Sequence, residues 1–236
     1  MIFNQVEYDV RCEWGLRGLQ ELAPVSDVLV IVDVLSFTTA VDIATSRGGV
    51  VFPYPLRGDA AATYAAQVNA TLASKSRGEG LSLSPTSLQR VKPGCRLVLP
   101  SPNGAALAFA AEHAIVLAAC LRNAAAAAAV AMRLGSKIAV IPAGERWETG
   151  ELRPCVEDLL GAGVVIAALK GRKSPEAMLA EAAFQQFQPR IAEALRECSS
   201  GRELIEWGFA ADVELAADLN VSTNVPRLND RAFVAA

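Results

Sequence analysis

A chain of 236 residues, 52% hydrophobic and 20% charged, has apolar material for a sizeable core and is not composed like a disordered protein. A formal net charge of −3 lacks the basic excess of a general nucleic-acid binder. One histidine and five cysteines without a C-x-x-C pair exclude poly-histidine zinc sites and fit a reducing compartment better than a disulfide framework.

The opening stretch MIFNQVEYDVRCEW carries acids early and has no apolar core, unlike a signal peptide, so a cytoplasmic location is expected. DVLVIVDVLS (27–36) is a continuous Val/Ile-rich run and reads as a central strand buried on both faces. TTAVDIATSRGG follows as a short helix ending at glycine, and VVFPYP (50–55) is the next strand. Residues 58–74 read as a helix and 75–94 as a long polar loop, of a length that is often functional. The alternation then resumes: CRLVLP, AIVLAA and KIAVIPAG are strands, with helices over PNGAALAFAAEH and RNAAAAAAVAMRLG between them. His113 reads as a surface or helix-end residue. Pro154 suits a first helical position, so a helix is expected from Pro154 to about Lys170. Residues 174–220 are helical with breaks at Pro189 and Gly201, and the tail reads as a loop and a terminal strand. The most apolar run, 105–121, is interrupted by Glu112 and His113, so no membrane span is expected. Strands alternating with helices predict a three-layer α/β/α fold with a largely parallel or mixed central sheet. Residues 1–236 are expected to form one domain, or two closely packed lobes.

In open α/β sheets ligands bind beyond the carboxyl ends of the strands, so residues just after each strand form one candidate group. They are Asp33, Ser36, Thr38 and Thr39; Ser101, Asn103 and Gly104 in SPNG; Arg122 and Asn123 in LRN; Glu145 and Arg146 in AGER; then Arg153. LRPCVEDLLGAG adds two adjacent carboxylates, Glu157 and Asp158, near a helix start. One reading makes them complements of the helix dipole. The other makes them, with Asp33, an oxygen-only metal site of the kind that suits Mg²⁺ before zinc. The arginines and the helix N-termini at SPNG and LRNA would clamp oxyanions. Together they describe a site for a small polyanionic substrate, and phosphoryl transfer is the economical chemistry.

Several motifs are missing. No G-x-x-x-x-G-K-[ST] occurs, and no cysteine has an arginine six residues on. The aspartyl-phosphatase D-x-D is incomplete, because Leu35 stands at its third place. GAGVVI (161–166) lies inside the expected helix and lacks a third glycine, so close helix packing explains it better than a dinucleotide. Cys155 reads as a packing residue.

The ordered set VIVDVLSFTTAV, LSLSPTSL, LVLPSPNGAALA, LRNAAAAA, AGERW and LRPCVEDLLGAG resembles the 2-phosphosulfolactate phosphatase family, known from coenzyme M biosynthesis. The resemblance runs from about residue 27 to the VP at 225–226. It implies a Mg²⁺-dependent phosphatase that converts (2R)-phospho-3-sulfolactate to 3-sulfolactate and phosphate. By position it carries Asp33, Glu157 and Asp158 over as the acidic residues, and Asn103, Arg122 and Asn123 as polar strand-end residues. The chain departs from the motif at three places. Ser36 stands where the family usually has arginine, Leu83 where it has the asparagine of N-S-P, and PNGA (102–105) where it has T-N-G-T. These changes fall around the expected anion pocket and allow another phosphorylated hydroxy acid as substrate.

The sequence therefore predicts a Mg²⁺-dependent phosphatase with Asp33, Glu157 and Asp158 as catalytic and metal-binding residues. Water or Asp33 itself could attack phosphorus. Two rivals are a non-catalytic small-anion-binding protein on the same fold and a lyase acting on a sulfonate or phosphonate. Neither nucleic acid nor membrane is an expected partner, and a homodimer is left open.

Overall fold

The computed structural model describes residues 2–111 and 115–236, so His113 lies outside the described residues. The strands are β1 (Val10–Cys12), β2 (Val28–Val32), β3 (Val50–Tyr54), β4 (Thr71–Leu72), β5 (Arg96–Pro100), β6 (Ile115–Ala119), β7 (Ile138–Pro142), β8 (Glu145–Arg146), β9 (Leu152–Arg153), β10 (Pro226–Asn229) and β11 (Ala232–Ala235). The helices are α1 (Gly15–Leu22), α2 (Phe37–Ser46), α3 (Asp59–Gln67), α4 (Pro85–Leu88), α5 (Gly104–Ala110), α6 (Ala124–Leu134), α7 (Val156–Ala168), α8 (Pro175–Phe187), α9 (Ile191–Glu197), α10 (Ser199–Glu206) and α11 (Ala210–Ala217). Nine strands form one sheet in the order β1-β7-β2-β6-β10-β11-β3-β5-β4, and β8 and β9 make a separate hairpin. All sheet neighbours are parallel except those involving β10 and β11. The expected three-layer α/β/α fold with a mostly parallel sheet is the one found.

β2 shows why its sequence is an unbroken apolar run. It lies between β7 and β6, and all five residues are fully buried. Val28, Val30 and Val32 face the layer containing α6, α7 and α8. Leu29 and Ile31 face the opposite layer of α1, α2 and α5. A strand covered on both sides has no face that tolerates polar residues.

α7 is wedged between the sheet and α8 by the two glycines of GAG. A Cβ on Gly161 would meet Val34 Cγ2 at 2.6 Å and Val32 Cγ1 at 2.8 Å. A Cβ on Gly163 would meet the Ala180 carbonyl oxygen at 2.1 Å. One glycine therefore closes the helix onto β2 and the other onto α8, and the packing role read from the sequence is confirmed. Gly163→Ala is expected to destabilise the fold by about 1–3 kcal/mol, because a backbone carbonyl cannot turn aside as a side chain can. Urea unfolding would measure it, with the midpoint falling at an unchanged m-value.

Four expectations need correction. The helix expected over 58–74 stops at Gln67, and Thr71–Leu72 becomes β4 beside β5. Asn69 takes a left-handed φ of 51°, the conformation asparagine tolerates at a helix end. The long loop contains α4, started by Ser84, whose side chain accepts a hydrogen bond from the Ser87 N–H. The helix expected from Pro154 begins at Val156, because β9 extends through Arg153 and Cys155 is itself extended. The tail forms two strands rather than one, β10 and β11, paired as a hairpin. No helix among the described residues is long and apolar enough to cross a membrane.

Candidate active site

A cleft of about 1060 Å³ opens beyond the carboxyl ends of β2 and β5, where the sheet geometry leads ligands to be expected. Asp33 and Ser36 enter it after β2, Ser101 and Asn103 after β5, and Glu145, Arg146 and Arg153 from the β8–β9 hairpin beyond β7.

Asp33 is held by two helix N-termini. Its Oδ1 accepts the Phe37 N–H at the start of α2, at 3.0 Å, and its Oδ2 accepts the Gly104 N–H at the start of α5, at 2.7 Å. Both helix dipoles favour the carboxylate. Burial and the nearby Glu145 charge nevertheless push the Asp33 carboxyl up to about 7. Gly104 allows this approach, since a Cβ there would meet Asp33 Oδ2 and Phe37 Cδ1 at 2.6 Å. Thr38 and Thr39 are fully buried and close the turn instead of facing the cleft. Their hydroxyls donate to the carbonyls of Asp33 and Val34, at 2.7 and 2.8 Å.

Glu145 is the second acid in the cleft. Burial raises its carboxyl above the ordinary value, against the favourable influence of the Asn103 side chain, a hydrogen bond from the Arg146 N–H and the attraction of Arg153. Asn103 stands at the N-cap position of α5, yet its side chain makes no cap bond there.

Glu157 and Asp158 lie behind this surface, buried in the first turn of α7. Asp158 Oδ1 accepts the Val34 N–H and Oδ2 the Gly144 N–H, both at 2.8 Å. It ties the end of β2 to the turn after β7. Burial, Asp33 and Glu157 push its carboxyl well above the ordinary carboxylate range. Burial pushes the Cys155 and Cys198 thiols up, and the Glu157 charge adds to it. The three carboxylates predicted as metal ligands thus share one acidic neighbourhood but not one coordination shell. Among the described residues no three His, Cys, Asp or Glu side chains converge on a point. What separates them is the helix itself: its first turn faces the protein interior, so Glu157 and Asp158 do not line the cleft that Asp33 enters. Buried Asp33 and half-buried Glu145 do face the cleft. Mg²⁺ needs only one or two carboxylates and leaves its other positions to water and substrate phosphate, so this pair fits it.

Arg122 and Asn123 are placed elsewhere. Residues 218–224 cover the carboxyl end of β6, where Asn220 and Ser222 donate their N–H groups to the carbonyls of Leu121 and Arg122. Arg122 forms ion pairs with Asp218 at 2.7 Å and Asp42 at 3.5 Å, and donates to the Leu215 carbonyl. Asn123 accepts the Cys120 N–H and donates to the Ala118 and Asn224 carbonyls. Both are drawn into binding the C-terminal segment, which the sequence did not show lying over that strand end. In the other direction, Arg57, which follows β3, and Lys75 and Arg77, which follow β4, line the cleft without having been among the candidates. The long polar loop at 75–94 was the available signal for two of them. Trp147 and Trp207 are exposed at its rim, and the Arg153 guanidinium lies 5.6 Å from the Trp147 ring centre.

Comparison with known proteins agrees with the motif order. A family model described as 2-phosphosulpholactate phosphatase matches residues 18–231. A protein of Carboxydothermus hydrogenoformans named "Probable 2-phosphosulfolactate phosphatase" is 30% identical over 210 residues, 84% of each chain. One of Gloeobacter violaceus with the same name is 30% identical over 224 residues, 88% of this chain and 91% of its own. The "2-phosphosulfolactate phosphatase" of Methanothermobacter thermautotrophicus is 33% identical over 136 residues, 57% of this chain and 56% of its own. With the match spanning nearly the whole chain and the acid pair lying at the strand ends, this chain belongs to the 2-phosphosulpholactate phosphatase family.

Proposed function

We propose that this protein is a Mg²⁺-dependent phosphatase that hydrolyses the phosphate ester of 2-phospho-3-sulfolactate or a similar phosphorylated hydroxy acid, giving the hydroxy acid and phosphate. The observation that carries the reading is the pair of buried Asp33 and half-buried Glu145 facing a cleft that arginines also line, in a chain of this family. A like-charged buried pair is unfavourable alone and becomes favourable beside a cation. Asp33 and Glu145 would hold the ion, which when bound offsets the phosphoryl charge and polarises its oxygens. Backbone N–H groups at two helix starts keep Asp33 in one orientation, and the Arg146 N–H bonds to the Glu145 carboxylate. Arg146 and Arg153 are suited to the substrate's carboxylate and sulfonate, which a guanidinium binds with two parallel hydrogen bonds. Asp158 does not touch substrate in this scheme and sets the β2 and β7 ends at their working separation.

The test is a phosphate-release screen over phosphorylated hydroxy acids, 2-phosphosulfolactate included, with Mg²⁺ and after chelation. Release is expected with Mg²⁺, lost on chelation and restored by adding the ion back. Full turnover in a metal-free preparation would remove the ion from the scheme. Binding of the esters without phosphate release would make the protein an anion-binding member of its family.

A further inference from the structure

Arg77 lies in the segment between β4 and α4 and lines the cleft, with only 17% of its side chain exposed. Its Nη1 and Nη2 both donate to Ser36 Oγ at 3.2 Å, which places that oxygen across the end of the guanidinium. Nη1 also donates to Asp212 Oδ2 at 3.3 Å and to the Leu83 carbonyl at 3.5 Å. These partners occupy the end and the Nη1 side of the fork. Among the described residues no acceptor takes the Nε–H or the second Nη2–H. Those two groups point the same way from one edge, at the spacing of two oxygens on one acid group. Asp212 balances the guanidinium charge, and its other oxygen accepts the Ser84 hydroxyl at 2.7 Å and the Thr86 N–H at 3.0 Å, which fixes the carboxylate and through it the fork. The guanidinium stays charged, and two of its N–H donors remain free for an acceptor in the cleft. The position is also set, since Ser36 follows Asp33 by three residues and the Asp33 charge acts on Arg77.

We infer that the Nε–Nη2 edge of Arg77 is the seat of the substrate's phosphoryl group, gripping two of its oxygens beside Asp33. This rests on the phosphatase reading only for the identity of the natural ligand, and inorganic phosphate tests it without turnover. Ser36 and Asp212 are positioning residues: they fix the fork so that little motion remains to be lost on binding. The arginines of the β8–β9 hairpin are then left for the other acid groups.

Calorimetry on the full chain would compare inorganic phosphate, lactate and methanesulfonate as probes for wild type, Arg77→Gln and Arg77→Lys. Wild type is expected to bind phosphate, and Arg77→Gln to bind it roughly 10- to 100-fold more weakly, the loss that removing a charged pair of hydrogen bonds gives. Arg77→Lys, which keeps the charge and loses the fork, is expected to fall between them. Lactate and methanesulfonate affinities are expected to stay unchanged in both variants. Unchanged phosphate affinity in Arg77→Gln overturns the assignment, as does failure of wild type to bind phosphate at all. A loss confined to lactate or methanesulfonate overturns it too, by moving Arg77 to a different acid group. If Arg77→Gln fails to fold, Arg77→Lys decides: weakened phosphate binding supports the seat, and wild-type binding refutes it. Absence of ester hydrolysis with this phosphate pattern intact would refute the phosphatase reading and leave the seat standing.

Discussion

Asp33→Asn is expected to lower kcat by roughly 10²–10⁴-fold, the range for a positioned group at the reacting centre, while the chain stays folded. Two effects on stability oppose each other. The amide keeps one oxygen acceptor but turns an NH₂ toward a backbone N–H, of Phe37 or of Gly104, that now lacks a partner. A buried donor so stranded costs about 1–3 kcal/mol. Against this, the substitution removes a charge that the fold holds poorly. The folded Asp33 carboxyl titrates near 7, whereas an unfolded aspartate gives up its proton near pH 4. Its raised value means that the folded chain binds the proton more tightly, so this group's contribution to stability is full below pH 4 and is lost as pH rises to 7. Asp33→Asn deletes that slope. Its melting temperature relative to wild type should therefore be more favourable at pH 8 than at pH 5 in metal-free buffer. A difference that does not change with pH would mean that Asp33 titrates as an ordinary exposed carboxylate.

Asp158→Ala is expected to destabilise the protein by about 2–6 kcal/mol, since it strands the N–H groups of both Val34 and Gly144. Activity should fall with it, by at least ~10-fold in the folded fraction, the loss typical of groups that orient a ligand from behind. Gly144 precedes Glu145 and Val34 follows Asp33, so slack at either end separates the acid pair. Asp158→Asn keeps the shape and one acceptor, and should lose about half as much stability. Turnover measured against Mg²⁺ concentration distinguishes this role from direct ligation. A positioning residue lowers kcat at saturating ion, whereas a ligand shifts the concentration required. Wild-type stability in Asp158→Ala would show that water replaces the carboxylate and that the tie has little weight.

The parts of the fold visible in the sequence are those whose residues answer to local rules. β2 could be read because burial on both faces removes every polar residue from it, and GAG because two glycines in an apolar helix have a packing use. Asp33, Asn103 and Glu145 were legible because a polar residue directly after a buried strand has a place to go. The same rule placed Arg122 and Asn123 in the site. They lie elsewhere because a distant segment, 218–224, covers their strand end. Asp158 was recognised as unusual, but sequence adjacency to Glu157 could not show that the first turn of α7 faces the interior, where Asp158 ties two strand ends together. Arg77 was hidden for the opposite reason. The departure from the family motif at Ser36 reads as a lost cation, yet the guanidinium of Arg77 comes across from another segment to lie on that serine.

The hairpin of β10 and β11 joins two otherwise separate parallel groups, β1-β7-β2-β6 on one side and β3-β5-β4 on the other. Each join is narrow, with Arg227 paired to Leu117 and Phe233 to Val51. The chain order gives this a temporal meaning. On a ribosome both groups emerge before the segment that unites them, so the inner edge of β6 waits open from Ala119 until Pro226 is made, and that of β3 waits longer still. Nascent chains with unpaired apolar edges are prone to stick to one another or to pair wrongly. Completion of the sheet is thus a late event in synthesis, and damage to the hairpin should be felt first as poor yield during expression.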